Sequence, residues 1–317
     1  MSSRILSSGN ATADRRADYA MMLVGGGEWL AATELMAQAL DLAPDWAAGW
    51  FLLGSWAEKA DDKAAAARAY RLALSLAPDD IFGAGLRLAL IGEGPLPDVP
   101  PSTYVKGLFD DYADTFDASL VDRLGYVVPA RLGNLVVKVL GADCHFGVVA
   151  DLGCGSGLFG AVIMARADRL EGWDLSPNML AKAAQKSLYH HLGLADLSLP
   201  PDRSGLFGHL DAHRADLVTA ADVLIYLGDL EAAFANVAHL LGPSGHFAFS
   251  VEKAKSAEGF ELRPSMRYAH SRAHVEAVLG RHAMTVLDVE ETTIRMDAGE
   301  AVTGILFVAR ALAAEML

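Results

Sequence analysis

A glycine-rich stretch in the middle of the chain constrains its fold more than any other feature of the sequence. The stretch is VVADLGCGSGLFG, residues 148–160, in which an apolar run ends at Leu152 and gives way to closely spaced glycines. This change predicts a buried strand followed by a tight loop, because glycine readily adopts the positive φ angles that such loops need. The stretch therefore predicts the first strand of a parallel α/β sheet, followed by a loop that can approach a ligand closely.

The same stretch fits two kinds of nucleotide site. Its second half, G-x-G-x-x-G at residues 155–160, satisfies the dinucleotide-binding fingerprint, in which a helix N-terminus faces a pyrophosphate. Its first half, D-x-G-x-G-x-G at residues 151–157, places a carboxylate at the strand end, where it attracts a cationic ligand and repels pyrophosphate. Asp174, at the end of the next predicted strand, can accept the ribose hydroxyls of either ligand. Both chemistries remain open at this point.

The remainder of the chain from residue 147 alternates apolar, strand-like runs with helical segments, as a parallel sheet requires. The predicted strands are Gly147–Leu152, Arg169–Asp174, Leu192–Ala195, Asp216–Ala221 and Gly245–Val251. Two further strand-like segments, 284–294 and 301–311, flank a turn signal at residues 297–299. These last runs predict an antiparallel hairpin that closes the parallel sheet.

With this hairpin, residues 104–317 resemble the class I S-adenosylmethionine (SAM)-dependent methyltransferases. The resemblance implies an α/β fold with a seven-stranded, Rossmann-like sheet, and SAM as cofactor, released as S-adenosylhomocysteine (SAH), with no metal. It implies that the glycine loop surrounds the methionine part of SAM, that Asp174 holds the ribose, and that Tyr112 closes over the methionine end. The implied cofactor-binding residues are Asp151, Gly153, Gly155, Gly157, Asp174, Leu175, Met179, Asp196, Leu197, Asp222 and Tyr112.

The acceptor side is expected after the fourth strand. There the resemblance places Asp222 beside the transferred methyl group, with a catalytic role, and Tyr226 on the wall of the acceptor pocket. The alternative is that Asp222 caps a helix and Tyr226 belongs to the core.

A compact polar segment, RPSMRYAHS at residues 263–271, lies where this family builds its substrate lid. We expect His270 to act as a general base, because histidine titrates near neutral pH. We expect Arg263, Arg267 and Tyr268 to bind the acceptor, which should carry a carboxylate or phosphate because arginine pairs with such groups. The alternative is that Ser271 caps the next helix while His270 faces solvent.

The N-terminal part of the chain contains an internal repeat. ALDLAPDW at Ala39–Trp46 recurs as ALSLAPDD at Ala73–Asp80, with the 34-residue period of the tetratricopeptide (TPR) family, which this part resembles. We therefore predict a disordered N-terminus at 1–13, an all-α TPR domain at 14–91 and a Pro/Gly-rich linker at 92–103. The whole arrangement resembles the bacterial TPR-containing predicted methyltransferases. The repeats are expected to bind a protein partner or form a homodimer, with a purely packing role as the alternative.

Composition excludes several other functions. A net charge of −14, without a Lys/Arg-rich run, argues against nucleic acid as a partner. Two cysteines, Cys144 and Cys154, predict neither a disulfide framework nor a zinc site. The chain shows no signal-like segment and no run approaching the ~20 apolar residues of a membrane span, which predicts a cytoplasmic protein.

Two other functions remain open beside methyl transfer to a small-molecule or carrier-bound acceptor. One is an NAD(P)-dependent oxidoreductase, and the other is a non-catalytic, SAM-binding TPR adaptor. The acceptor atom is not specified by these residues.

Overall fold

The structure is a computed structural model that describes residues 7–112, 125–297 and 299–312. The chain divides into two compact units, Met1–Asp111 and Tyr112–Leu317. Within the described residues the first unit is helical, and the second contains the predicted sheet. Among the described residues, no helix combines the length and the apolar character that a membrane crossing requires.

The first unit is built from consecutive helices that pack on one another. They are α1 Ala11–Gly25, α2 Trp29–Leu40, α3 Ala47–Lys59, α4 Lys63–Leu76, α5 Ala84–Leu90 and α6 Ser102–Tyr112. Small residues permit the close approach of helices: a Cβ atom at Gly54 of α3 would lie 2.6 Å from the ring of Tyr70 in α4. The Tyr70 hydroxyl donates to Glu58 at 2.5 Å, which fixes the same pair of helices. The TPR identity of residues 14–91 stays a prediction.

Part of the segment predicted to be disordered, residues 1–13, is ordered from residue 10 onward. Helix α1 begins at Ala11, and the Asn10 side chain accepts hydrogen bonds from the backbone of Thr12 and Ala13. An asparagine at this position satisfies backbone N–H groups that a helix start otherwise leaves unpaired. This cap, together with the complete burial of Ala13, extends the ordered region into the segment predicted to be disordered.

The two units divide after the predicted linker. Thr103 Oγ1 donates to the Asp79 carbonyl oxygen at 2.5 Å, and the ring of Tyr104 lies 3.1 Å from the position of a Cβ atom at Gly83. Both contacts attach the start of α6 to the first unit. The structure therefore assigns residues 102–111 of α6 to the helical unit, whereas the sequence assigned residues from 104 onward to the second domain.

The second unit contains a mixed sheet. Its strands are β1 Phe146–Leu152, β2 Ala167–Asp174, β3 His191–Leu194, β4 Ala215–Ala220, β5 Leu241–Lys253, β6 Phe260–Leu262, β7 Tyr268–His270, β8 Met284–Asp297 and β9 Glu300–Ala311. The strand order is β3-β2-β1-β4-β5-β7-β6, and β9 pairs with both β5 and β8. Strands β1 to β5 pair in parallel, whereas β9 runs antiparallel to β5 and β8.

The helices of the second unit connect and cover these strands. They are α7 Val128–Leu140, α8 Leu158–Ile163, α9 Pro177–Gln185, α10 Glu231–Leu240 and α11 Arg272–Arg281. Stacked rings stabilise the junction of the parallel strands with the final hairpin: Phe249 lies 4.3 Å from Phe247 and 5.0 Å from Phe307, between ring centroids.

The predicted Rossmann-like α/β fold with a C-terminal antiparallel hairpin is confirmed, but the sheet has nine described strands and not seven. The additional strands are β6 and β7, which pair antiparallel to each other. Each has three residues, which is too short for a period of two to be recognisable in the sequence. They occupy the segment that was predicted to form a substrate lid.

Candidate active site

The glycine loop after β1 has the backbone conformation that the sequence predicts. Gly153, Gly155 and Gly157 have φ angles of 61°, 55° and 89°, in the left-handed region that glycine adopts without strain. A Cβ atom at Gly153 would also lie 2.3 Å from the Val223 side chain. The loop therefore requires glycine both for its conformation and for its packing against the segment that follows β4.

The last glycine of the dinucleotide-like pattern has a different role. A Cβ atom at Gly160 would lie 2.3 Å from the hydroxyl oxygen of Tyr189, and one at Gly172 would lie 2.8 Å from the same ring. Gly160 thus makes room for a tyrosine that the sequence analysis did not select. The G-x-G-x-x-G match is explained by internal packing and does not require a pyrophosphate.

Asp151, at the end of β1, is buried and held by two hydroxyl groups. Its Oδ1 accepts from Thr219 Oγ1, and its Oδ2 accepts from the Tyr189 hydroxyl, both at 2.7 Å. Burial raises the pKa of Asp151 to about 6, although the hydrogen bonds from Thr219 and Tyr189 act in the opposite direction. Asp151 is therefore a carboxylate at neutral pH, in a position where a cationic ligand would be favoured.

Asp174, at the end of β2, joins the glycine loop to the start of α9. Its Oδ2 accepts from the backbone N–H of Gly155, and its Oδ1 accepts from that of Ser176, both at 2.8 Å. Ser176 in turn caps α9 by accepting from Met179 N at 3.1 Å. A carboxylate can accept about four hydrogen bonds, so these backbone contacts are compatible with ribose binding.

A small pocket opens beside the glycine loop. It is lined by Tyr126, Pro129, Asp151, Gly153, Cys154, Gly155, Ser156, Leu158, Phe159 and Ala221. One carboxylate thus lies among backbone groups and apolar side chains. This lining fits the methionine part of SAM, which carries an ammonium and a sulfonium on an aliphatic chain. Asp174, linked to the loop through Gly155, fits the ribose.

The residues predicted to contact adenine lie on neighbouring segments. Met179 is fully buried, Leu197 is buried, and Leu175 is half-buried. Asp196 Oδ1 accepts from both the backbone N–H and the hydroxyl of Ser198, at 2.9 and 2.6 Å. The Asp196 carboxylate therefore stabilises its own loop, and its contact with adenine stays a prediction. The side chain of Tyr112 lies outside the described residues.

Asp222 is held in an unpredicted buried cluster. Its φ angle of 61° places it in the left-handed region, and its N–H donates to Ser250 Oγ at 2.8 Å. Its carboxylate accepts from Arg295 Nη1 at 2.8 and 3.1 Å, and Arg295 Nη2 also contacts Glu252. Asp222 is therefore not the cap of a helix, and its carboxylate is paired with an arginine.

Sequence analysis did not identify Arg295 as a buried residue, because its burial depends on an irregularity in strand pairing. The register of β8 against β9 shifts between Thr293 and Arg295, and the adjacent residues Ile294 and Arg295 are both buried. A regular strand would direct one of these two side chains outward. The only signal in the sequence was an arginine at the end of an otherwise alternating run.

Tyr226 and Arg267, which the sequence assigned to the acceptor side, are in contact, and their acceptor roles stay predictions. Tyr226 lies on a short 3-10 turn, Leu224–Tyr226, and is half-buried. Arg267 is hydrogen-bonded to Tyr226 and lies 3.4 Å from Asp297 Oδ2. Burial alone would lower the pKa of Arg267, but Tyr226 and the Asp222 charge raise it above its usual value. The guanidinium is therefore a permanent cation, with 24% of its side chain exposed.

The other lid residues are placed differently from the prediction. Tyr268 and His270 belong to β7 and are completely buried, so neither reaches solvent where an acceptor would approach. Burial, with a contribution from His274, lowers the pKa of His270 to about 4. Arg263 donates to the Lys253 carbonyl at 2.8 Å and pairs with Glu261 at 3.1 Å. The general-base role of His270 is therefore not supported by its position.

The cap that the sequence offered as an alternative is present. Ser271 Oγ accepts from His274 N at 3.1 Å, and α11 begins at the next residue. The polar segment 263–271 thus serves mainly to form an edge hairpin and to start a helix. Within this segment, Arg267 is hydrogen-bonded to Tyr226, the residue predicted to line the acceptor pocket.

Comparisons with known proteins agree with this fold. A protein-family model described as a methyltransferase domain matches residues 150–247. The malonyl-[acyl-carrier protein] O-methyltransferase of Serratia marcescens is 31% identical over 129 residues, which cover 41% of this chain and 47% of that protein. The chain thus spans about half the length of this relative.

Two solved structures share the fold at low sequence identity. The [4+2]-cyclase SpnF has a TM-score of 0.55 and 16% identity, over 69% of this chain and 98% of that chain. The 1,6-didemethyltoxoflavin-N1-methyltransferase of Burkholderia thailandensis, bound to its namesake ligand and SAH, has a TM-score of 0.51 and 19% identity. That match covers 68% of this chain and 92% of that chain. Residues 150–247 therefore match a methyltransferase domain, and the second unit has the Rossmann-like α/β fold of the SAM-dependent methyltransferases.

Proposed function

We propose that this chain is a SAM-dependent methyltransferase that acts on a small-molecule or carrier-bound acceptor and releases SAH. The observation that carries the proposal is the pair of acids at the ends of β1 and β2, joined by a loop of left-handed glycines. Asp151 lines the pocket, and Asp174 fixes the loop through Gly155. Ligands of open α/β sheets bind at these strand ends.

SAM, when bound, would supply a sulfonium methyl group that an acceptor nucleophile takes up in line, while the carbon–sulfur bond breaks and SAH leaves. The protein contributes mainly alignment and exclusion of water in such a reaction. Asp151 would attract the cationic end of the cofactor, while Tyr126 and Phe159 would cover its aliphatic part. The Asp174 carboxylate would orient the ribose. These roles need no nucleophilic side chain.

The acceptor is proposed to be an acid, presented either free or on a carrier. The Serratia relative is by its name a malonyl-[acyl-carrier protein] O-methyltransferase, and Arg267 offers a partly exposed cation at the wall formed by Tyr226. A carboxylate acceptor is already ionised at neutral pH and requires no general base. An acceptor that requires no general base is compatible with the burial of His270. An amine or hydroxyl acceptor would benefit from such a base and is therefore less compatible with this burial.

The alternative of a nicotinamide enzyme is less well supported. It relied on the G-x-G-x-x-G pattern, in which Gly160 accommodates Tyr189. It also requires a pyrophosphate close to the Asp151 carboxylate, where like charges repel. The alternative of a SAM-binding adaptor uses the same pocket and is distinguished only by turnover. The fold alone does not decide, since one structure that shares it is named as a cyclase.

We further propose that residues 14–91 form TPR repeats that mediate assembly. The 34-residue repeat and the close helix packing at Gly54 support this role. Large apolar side chains are exposed on the first two helices, with Met22 at 72% and Leu30 at 69%. Light scattering of the full chain should show a dimer or larger species, and the double variant Met22→Lys/Leu30→Lys should shift it to the monomer.

Calorimetric titration of the full chain with SAH and with NAD tests the cofactor. SAH should bind, and Asp174→Asn should weaken it at least ~10-fold, or about 1.4 kcal/mol. Asp168→Asn is the matched control, because Asp168 lies near the start of the same strand with 73% of its side chain exposed. Binding of NAD without binding of SAH would support the oxidoreductase instead.

Labelled SAM then tests the reaction. A carrier-protein thioester with a free carboxylate, and the corresponding free acid, should accept label that mild base releases as methanol, as expected for a methyl ester. Label that resists base would indicate N- or C-methylation and contradict the carboxylate acceptor. Binding of SAH with no transfer to any acceptor would favour the adaptor.

A further inference from the structure

Tyr189 lies in the segment between α9 and β3, where no sequence motif draws attention to it. Its hydroxyl donates to Asp151 Oδ2 at 2.7 Å, across 38 residues of sequence. Burial raises the pKa of Tyr189 well above its usual value, so the hydroxyl remains protonated and remains a donor. Tyr189 thus delivers a permanent hydrogen-bond donor to the acid that ends β1.

The ring of Tyr189 is surrounded by glycines from three different elements. A Cβ atom would lie 3.1 Å from the ring at Gly157, 2.6 Å from it at Gly160 and 2.8 Å from it at Gly172. These positions belong to the glycine loop, to α8 and to β2. No larger residue fits at Gly160 or Gly172 while the tyrosine keeps its place. The ring therefore supports the cofactor loop on the side of β2.

Asp151 has a second hydroxyl donor and several ionisable neighbours. Thr219 Oγ1 donates to its Oδ1 from β4, and Thr219 is completely buried. Besides Tyr189, the charged or titratable groups that influence Asp151 or respond to its charge are Asp174 on β2, Cys154 in the loop and Tyr126 before α7. Burial favours the neutral acid, and the two hydroxyls favour the carboxylate.

We propose that Tyr189 is a positioning residue of the cofactor pocket, whose hydroxyl keeps Asp151 ionised and oriented while its ring supports the glycine loop. This inference rests on the proposed function, since it concerns the same pocket. The proposal assigns one role to the Tyr189 hydroxyl and another to its ring. Removal of the hydroxyl should affect the charge of Asp151, whereas removal of the ring should also disturb the loop.

Tyr189→Phe isolates the first role, because it keeps the ring against the glycines. Loss of one donor should raise the pKa of Asp151 by about one unit from its value near 6. SAH affinity, which depends on the carboxylate, should then fall on acidification at a pH about one unit higher than in the wild type. We expect binding ~5- to 10-fold weaker at pH 6 and changed less than ~2-fold at pH 8.

Two further variants make the test specific. Thr219→Val removes the other donor and should shift the pH profile in the same direction. Tyr70→Phe removes a comparable tyrosine–carboxylate bond, to Glu58 in the helical unit, and should leave the profile unchanged. A uniform loss of SAH affinity at every pH in Tyr189→Phe would indicate a merely structural role and would overturn the proposal.

A measurement without ligand separates this proposal from the proposed function. The side-chain carboxyl carbon of Asp151, followed by NMR in the ligand-free full chain, should titrate at higher pH in Tyr189→Phe than in the wild type. An unchanged titration refutes the proposal whatever SAH does. Failure of the wild type to bind SAH at any pH, with the NMR shift intact, would instead refute the proposed function.

Discussion

Arg295 neutralises two buried acids, and its replacement should destabilise the sheet. Its side chain is 1% exposed and pairs with Asp222, whose side chain is 12% exposed, and with Glu252, at 6%. Arg295→Met keeps much of the side-chain length and removes the charge. Breaking a buried ion pair by removing one partner costs roughly 3–5 kcal/mol, because the other charge is left uncompensated.

The size of this loss should depend on pH. Burial already raises the pKa of Glu252, and the Arg295 charge opposes this effect. Without Arg295 the folded state should bind protons at higher pH than the unfolded chain does, so the stability of the variant falls as pH rises. We expect a loss near ~4 kcal/mol at pH 8 and a smaller loss at pH 5, where Glu252 becomes protonated.

Hydrogen exchange measures this loss within the second unit alone. The free energy of opening for amides of β8 and β9 should fall by the stated amount in Arg295→Met. Arg272→Met is the matched control: its pair with Glu276 is on the surface, with side chains 58% and 40% exposed, and should contribute less than ~0.5 kcal/mol. A loss below ~1 kcal/mol for Arg295→Met, or a loss that does not change with pH, would refute the reasoning.

Three other variants test separate features. Gly160→Ala should weaken SAH binding, because its Cβ would lie 2.3 Å from the Tyr189 hydroxyl. In a Tyr189→Ala background the same substitution should weaken SAH binding little further. Additive losses of affinity in the double variant would exclude this contact. The folded-state pKa of His270, about 4, lies below the unfolded value of ~6.5, so its contribution to stability is lost as pH falls through this window. His270→Phe should therefore flatten acid unfolding between pH 6.5 and 4, and equal pH dependence would contradict it. Arg267→Ala should raise the acceptor KM and leave SAM affinity unchanged, whereas equal loss of both would argue against an acceptor contact.

The sheet and the cofactor loop were predictable because their signals are local. Apolar runs that end in Asp151 and Asp174 mark the ends of β1 and β2, and the glycines between them require a tight loop. The hairpin of β8 and β9 follows from two strand-like segments around a turn. These features depend on residues adjacent in sequence, so no knowledge of tertiary contacts was needed.

The segments proposed for the acceptor side were less predictable because their residues are placed by distant pairing. His270 and Tyr268 are polar or amphipathic and suggested a solvent-facing lid, but pairing of β7 with β5 and β6 buries both. Arg295 is turned inward by a register shift against β9. The role of Tyr189 is recognisable only from its contacts with Gly160 and Gly172. That these two positions require glycine becomes clear only when α8, β2 and the segment that carries Tyr189 are packed together.

A crystal structure of the full chain with SAH would test most directly whether the strand ends hold a cationic nucleoside cofactor. It should show the ribose hydroxyls on Asp174 and the amino acid end of SAH in the pocket that Asp151 lines. SAH bound elsewhere, or a pocket closed by the glycine loop with Asp151 and Asp174 out of reach, would contradict the proposed methyltransferase.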